Sequence, residues 1–196
     1  MMNWKIAHTL ASPDDPAWEV LAQNGLAPEA HPERRRGFLL AREALRLCLN
    51  IPDIIDLELK HFSTLPRFPE LTVSLSHTKW AAAAIVAAKK DFLSVGIDLE
   101  NKTRVVNPLT LKKIANAQDE VKGIDLWCLK EAAYKCFSNT GIESDFVKFS
   151  QLEIRKDRWV HSPSGTSGEW QLHEEGDFLV AIAFKRNQNS SEQAHD

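Results

Sequence analysis

The stretch Val95-Gly96-Ile97-Asp98-Leu99-Glu100 alternates apolar and acidic positions, which fixes a β-strand with both carboxylates on one face. Downstream, Trp127-Cys128-Leu129-Lys130-Glu131-Ala132-Ala133-Tyr134-Lys135 carries Trp127, Glu131 and Lys135 at four-residue steps, which a helix gathers on one face. The order of elements along the chain, strand, helix, strands, then helices and strands again, suggests an α+β architecture. Hard oxygen ligands suit a divalent cation, and the neighbouring lysines suit phosphate.

The rest of the chain reads as two α+β halves. Asn3–Leu10 is predicted as a strand, followed by a short helix from Ala17 and a helix over Glu33–Leu49, whose apolar positions repeat at helical spacing. Leu57–Phe62 and Leu71–Leu75 read as strands. Trp80–Ala88 reads as a strand hairpinned to Leu93–Glu100 across Lys89-Lys90-Asp91. Pro108–Val121 and Asp125–Ser138 read as helices, and Gly141–Asp145 as a loop. Phe149–Arg155, Arg158–His161, Glu169–His173 and Phe178–Phe184 read as strands, with a turn over Ser162–Gly168. The expected division is residues 1–90 for the first half, 91–186 for a second half holding the metal site, and 187–196 for a disordered tail. No residue-level repeat between the halves stands out.

Composition narrows the function classes. The net charge of −3 lacks the basic footprint of a general nucleic-acid binder. No apolar run reaches spanning length, and residues 1–10 do not read as a signal peptide. The three cysteines, Cys48, Cys128 and Cys136, show no ligand-like spacing and read as free thiols. The expectation is a cytoplasmic monomer with neither a membrane nor a nucleic-acid partner.

Each candidate site has an ordinary alternative. Asp98 and Glu100 could face solvent from a half-buried strand, although Gly96 beside them marks a close approach by a ligand or another backbone. Glu131 and Lys135 could be a surface pair contributing about 0.3–0.5 kcal/mol. Ser76-His77 follows a strand, where a lone histidine is usually structural, and no Gly-x-Ser-x-Gly elbow supports a nucleophile. Arg35, Arg42 and Arg46 share one broad helical face that could grip phosphate.

Taken in order, Ser76-His77, the Gly96-Ile97-Asp98-Leu99-Glu100 strand and the Trp127 to Lys135 helix resemble the 4′-phosphopantetheinyl transferases, whose signatures are G-[IV]-D-x-E and W-x-x-K-E-[AS]-x-x-K. The resemblance covers roughly residues 33–184 and favours the pseudo-dimeric, surfactin-synthetase-activating type over the short trimeric synthases. It implies two similar α+β halves and transfer of the phosphopantetheine arm of coenzyme A to a serine of an apo acyl or peptidyl carrier protein, with release of 3′,5′-ADP. It implies Asp98, Glu100 and Glu131 as Mg²⁺ ligands, Lys135 on the transferring phosphate, Lys130 near phosphate, and Ser76 and His77 at the 3′-phosphate of coenzyme A. Arg36, Arg42 and Arg67 join them as co-substrate contacts. The implied base is a carboxylate, either Glu131 itself or Glu100 acting through a held water.

Three positions depart from the family pattern. Ser74 stands where relatives carry Asn, Pro66-Arg67-Phe68-Pro69 replaces Gly-Lys-Pro, and the usual Phe before a Glu is missing near Glu120. The second reading is a non-catalytic relative that binds coenzyme A or a carrier protein. An unrelated Mg²⁺-dependent phosphate-ester enzyme is the third.

Overall fold

The computed structural model describes residues 1–8, 32–52, 64–140 and 147–187. The predicted helix from Ala17, strand Leu57–Phe62, loop Gly141–Asp145 and the tail from residue 188 onward lie outside the described residues. Among the described residues the order is β1 (Met2–His8), α1 (Pro32–Leu49), β2 (Leu71–His77), β3 (Ala81–Ala88), β4 (Phe92–Asn101), α2 (Pro108–Ile114), α3 (Gly123–Ser138), a 3₁₀ turn (Phe149–Gln151), β5 (Leu152–Ile154), β6 (Arg158–His161), β7 (Thr166–Glu175) and β8 (Phe178–Arg186). The fold is mixed α+β. One sheet runs β1-β3-β2 and the other β4-β8-β7-β6-β5, with every described pairing antiparallel.

Burial at a period of two sets the layers. On β3, Ala82, Ala84 and Val86 pack toward α1 residues Ala41, Ala44, Leu45 and Cys48. The alternate residues Ala81, Ala83, Ile85 and Ala87 join Val95, Ile97, Leu99, Val180, Ile182 and Phe184 in a core shared by the two sheets. On β8, Leu179, Ala181 and Ala183 pack against α3. Each sheet thus carries a helix on its outer face. A strand buried on both faces cannot alternate polar and apolar residues, and small side chains let the helix approach closely. That is why the six alanines of β3 do not make a helix.

Several boundaries differ from the sequence expectation. β3 does not pair with β4: both its edges are taken, by β1 and β2, and β4 pairs instead with the distant β8. The turn at Lys89–Asp91 therefore passes from one sheet to the other. The helix predicted over Pro108–Val121 stops at Ile114, because Ala115 is extended and a turn follows in which Asp119 Oδ2 accepts from the Asn116 N–H and Asn116 Oδ1 accepts from the Gln118 N–H. The strand predicted over Phe149–Arg155 begins with a 3₁₀ turn, and β7 is longer than predicted at both ends.

A repeat does emerge. The units β1-α1-β2-β3 and β4-α3-β7-β8 share one connectivity and one sheet order. Aligning the His8↔Ala81 pair with Asn101↔Phe178 sets Asn3, Lys5 and Ala7 against Gly96, Asp98 and Glu100. In the helices, Arg42-Glu43-Ala44 with Cys48 then matches Lys130-Glu131-Ala132 with Cys136.

The two halves meet along the outer edges of β2 and β4. No backbone ladder joins these edges; the hydroxyls of Ser74 and Ser76 accept from the Ile97 and Leu99 N–H groups at 3.1 and 3.2 Å. Ser74 is thus part of the seam.

Candidate active site at the seam of the two halves

β4 turns Gly96, Asp98 and Glu100 toward α3 and sends Val95, Ile97 and Leu99 into the shared core. A Cβ on Gly96 would collide with the Ala132 carbonyl and the Cys136 amide. The close approach that the strand glycine signals is therefore that of α3's backbone, which brings helix and strand near enough for their side chains to share one site.

Asp98 is buried, 5% exposed. Its Oδ1 accepts from Ser76 Oγ and from Lys135 Nζ, both at 2.8 Å. Its Oδ2 is buried with no partner among the described residues. An orphaned carboxylate oxygen in a water-poor site is costly unless something binds it. Glu100 is equally buried; its Oε1 accepts from Trp127 Nε1 at 2.8 Å and from the Arg104 guanidinium. Lys135 also donates to the Ile97 carbonyl at 2.9 Å. Burial, and then the neighbouring charge of Asp98, push the Glu131 carboxyl up to about 6, against a downward pull from Lys135.

A cleft of about 430 Å³ opens along the seam, lined among others by Ser76, His77, Trp80, Asp98, Glu100 and Arg104. His77 ends β2 beneath α1, where a Cβ on Gly37 would come within 2.6 Å of its Nδ1, so the helix needs glycine there to seat the imidazole. Burial first, and then the Lys135 charge, hold the His77 pKa below its ordinary value. At the rim, Trp80 is half exposed, with the Arg36 guanidinium 5.5 Å and the Lys79 ammonium 4.9 Å from its ring centre.

The structure therefore brings Ser76, His77, Asp98 and Glu100 to one cleft, ties Lys135 to Asp98, sets Glu131 within their field and places Arg36 at the rim. It does not bring Lys130 there. That side chain is fully buried on the other side of α3, paired with Asp119 at 2.7 Å and bonded to the Ile114 and Phe149 carbonyls. Residues adjacent on a helix point about 100° apart, so proximity to Glu131 in sequence does not carry Lys130 to the cleft. Neither Arg42 nor Arg67 lines the cleft. Arg42 is buried against the Phe38 ring at 3.2 Å; burial lowers its pKa to about 9, which leaves it charged at neutral pH. Arg67 is exposed in the turn before β2. The Arg34 and Arg35 side chains lie outside the described residues.

Sequence reasoning missed Arg104, Trp80 and Gly37. Trp80 and Gly37 stood inside or beside quoted segments without being weighed. Arg104 follows the strand in irregular chain, where no periodicity marks a side chain's direction.

The donor set fits a divalent cation: Asp98, Glu100 and Glu131 are hard oxygen ligands, and Asp98 Oδ2 is unused. Among the described residues no group of three or more His, Cys, Asp or Glu side chains is already drawn together as a metal cage. Lys135 and Arg104 instead stand on two of the carboxylates.

No helix among the described residues is long and apolar enough to cross a membrane. A search of curated proteins finds no match to the chain. Residues 94–183, from the second turn-out of the acid-bearing strand to the buried run of β8, match the family model of the 4′-phosphopantetheinyl transferase superfamily.

Proposed function

We propose that this chain moves the 4′-phosphopantetheine arm of coenzyme A onto a serine of an apo carrier protein, as an enzyme of the pseudo-dimeric, surfactin-synthetase-activating type. The family match supports phosphopantetheinyl transfer in general. The observation that carries the specific reading is Asp98: a buried carboxylate with one oxygen unused, at a cleft that also holds Ser76 and His77 from the other half.

Asp98 through Oδ2, Glu100 and Glu131 would hold Mg²⁺, whose bound form neutralises pyrophosphate charge and orients it. Lys135 lies on Asp98 and takes the phosphate next to that carboxylate. His77 and Ser76 would bind the 3′-phosphate from the β2 side, and Arg36, stacked over Trp80 at the rim, would meet the nucleotide. The carrier serine oxygen bonds to the β-phosphorus of coenzyme A. The bond from that phosphorus to the bridging oxygen breaks, and 3′,5′-ADP departs. The serine proton goes to a carboxylate; Glu131, raised to about 6, is suited to accept one near neutral pH. Catalysis by positioning and charge neutralisation needs no covalent nucleophile from the enzyme.

The partner is a carrier protein with an acidic surface. The stretch 105–113 has no acid and carries Lys112 and Lys113, both exposed on α2, a basic patch in a protein of net charge −3. Exposed Val105 and Leu109 lie on it. The three buried, unbridged cysteines accord with action in the cytoplasm.

The test is mass. Incubation with Mg²⁺, coenzyme A and an apo carrier adds one phosphopantetheine group to the carrier. No gain across fatty-acid, polyketide and peptide carriers would sink the reading and leave a non-catalytic relative that binds coenzyme A or a carrier.

A further inference from the structure

Glu100 is a buried carboxylate held by two donors of different kinds. Trp127 Nε1 is a fixed hydrogen-bond donor on α3. Arg104 is a charge on an irregular strap after β4, its side chain 46% exposed against 9% for Glu100. The guanidinium lies 5.3 Å from the Trp127 ring centre and lines the cleft that contains His77 and Asp98. It thus reaches from a solvent-facing strap onto a buried acid at the edge of the site.

We propose that Arg104 is a resident counter-ion, which holds Glu100 while the site is free of metal and turns its guanidinium onto the phosphates of the co-substrate when a divalent cation takes that carboxylate. The inference rests on the transferase reading for the identity of those phosphates.

Charge counting supports the exchange. Asp98, Glu100 and Glu131 bring three negative charges, which Lys135 and Arg104 only partly offset. Buried charges demand partners, and here the nearest cations, Lys135 and Arg104, lie on the acids. A divalent ion replaces them with shorter, stronger contacts to oxygen. Arg104 then has no acid to hold, and it already lines the cleft. Its planar fork matches two phosphate oxygens at once, which a lysine cannot reproduce. Trp127 keeps its bond to Glu100 and offers the guanidinium a face on which to pivot.

The two halves of the proposal give Arg104→Gln effects of opposite sign. Titrating the full chain with Mn²⁺ or Mg²⁺ alone, by calorimetry or tryptophan fluorescence, should show ion affinity about three- to fivefold tighter than in the unmodified protein, the scale of a partly exposed ion pair. With Mg²⁺ saturating, coenzyme A should bind about tenfold more weakly, the scale of a charge-assisted hydrogen bond. Arg104→Lys keeps the charge and loses the fork, so its ion affinity should stay near the original while coenzyme A affinity falls; it also serves should Arg104→Gln fail to fold. Lys102→Gln removes the same charge from the same strap and should change neither. Ion affinity unchanged or weakened in Arg104→Gln, or tightened equally in Lys102→Gln, overturns the proposal. The ion titration contains neither coenzyme A nor carrier, so an unchanged ion affinity overturns the counter-ion role while the mass test of transfer still stands. Absence of transfer beside a tightened ion affinity does the reverse.

Discussion

The two halves of this protein have the same strand–helix–hairpin plan and opposite chemistry. β1 sets Lys5 and Ala7 where β4 sets Asp98 and Glu100. On the helices, Glu43 forms a half-buried pair with Arg46 at 2.7 Å, whereas its counterpart Glu131 lies among other carboxylates and is pushed up to about 6. The positions that match across the halves, Ala44 with Ala132 and Cys48 with Cys136, are buried. The contrast teaches that core-facing positions maintain the framework while a few cleft-facing ones decide which half carries the acids. The first half contributes the other wall, through Ser76 and His77.

The sharpest way to break the comparison is to remove the acid from each helix in turn. Glu131→Gln should lower the transfer rate by about 10³–10⁴-fold with the fold retained, while Glu43→Gln should leave transfer unchanged; near-normal rates for Glu131→Gln would end the assignment. A second contrast concerns the neighbouring cations. Lys130→Met strands Asp119 as an unpaired buried charge and should cost about 3–5 kcal/mol in denaturant unfolding. A loss below about 1 kcal/mol would mean that Asp119 finds water or another partner.

Gly96 and Asn3 occupy equivalent strand positions, and only the first is pressed onto its helix. Gly96→Ala should cost about 2–3 kcal/mol through forced separation of strand and helix. Asn3→Ala, which loses one bond to the Cys48 carbonyl, should cost about 1 kcal/mol. Equal costs would show that α1 and α3 pack alike.

The smallest effect expected is in pH. Glu131 is lifted from 4.5 to about 6, so the folded chain binds the extra proton across that window and stability falls as pH rises through it. Ion binding runs the other way, because it needs the carboxylate. Mg²⁺ affinity should rise with pH and level off above the raised value, weakening roughly tenfold per unit below it. A flat profile would show that Glu131 is not a ligand.

The acid strand and its helix were legible because each has an unbroken period: two for Val95–Glu100, and four-residue steps for Trp127–Lys135. The α+β class followed from the order of strands and helices along the whole chain. Strand pairing was not legible. Lys89–Asp91 has the composition of a hairpin turn, yet what decides β4's partner is the burial demand of β3 and β8, set by residues far apart in the chain. The early end of α2 was hidden because the side-chain turn between Asn116 and Asp119 competes with the helix locally. Lys130 was misplaced by reading neighbours in sequence as neighbours in space. Asp98, Glu100, Glu131 and Lys135 were legible as a group because each falls in one of those two periodic segments, and Lys135 does pair with Asp98. Arg104 was not, since a single arginine in irregular chain has no pattern to betray its direction.

Ser76 Oγ accepts from the Leu99 N–H across the seam and donates to Asp98 Oδ1. One hydroxyl is therefore at once a fastener between the halves and a tether on the acid of the site. Cohesion of the molecule and readiness of the site are thermodynamically linked through that atom. Whatever grips Asp98 also tightens the junction, so an upward shift in the melting temperature of the whole protein would itself register the arrival of a ligand.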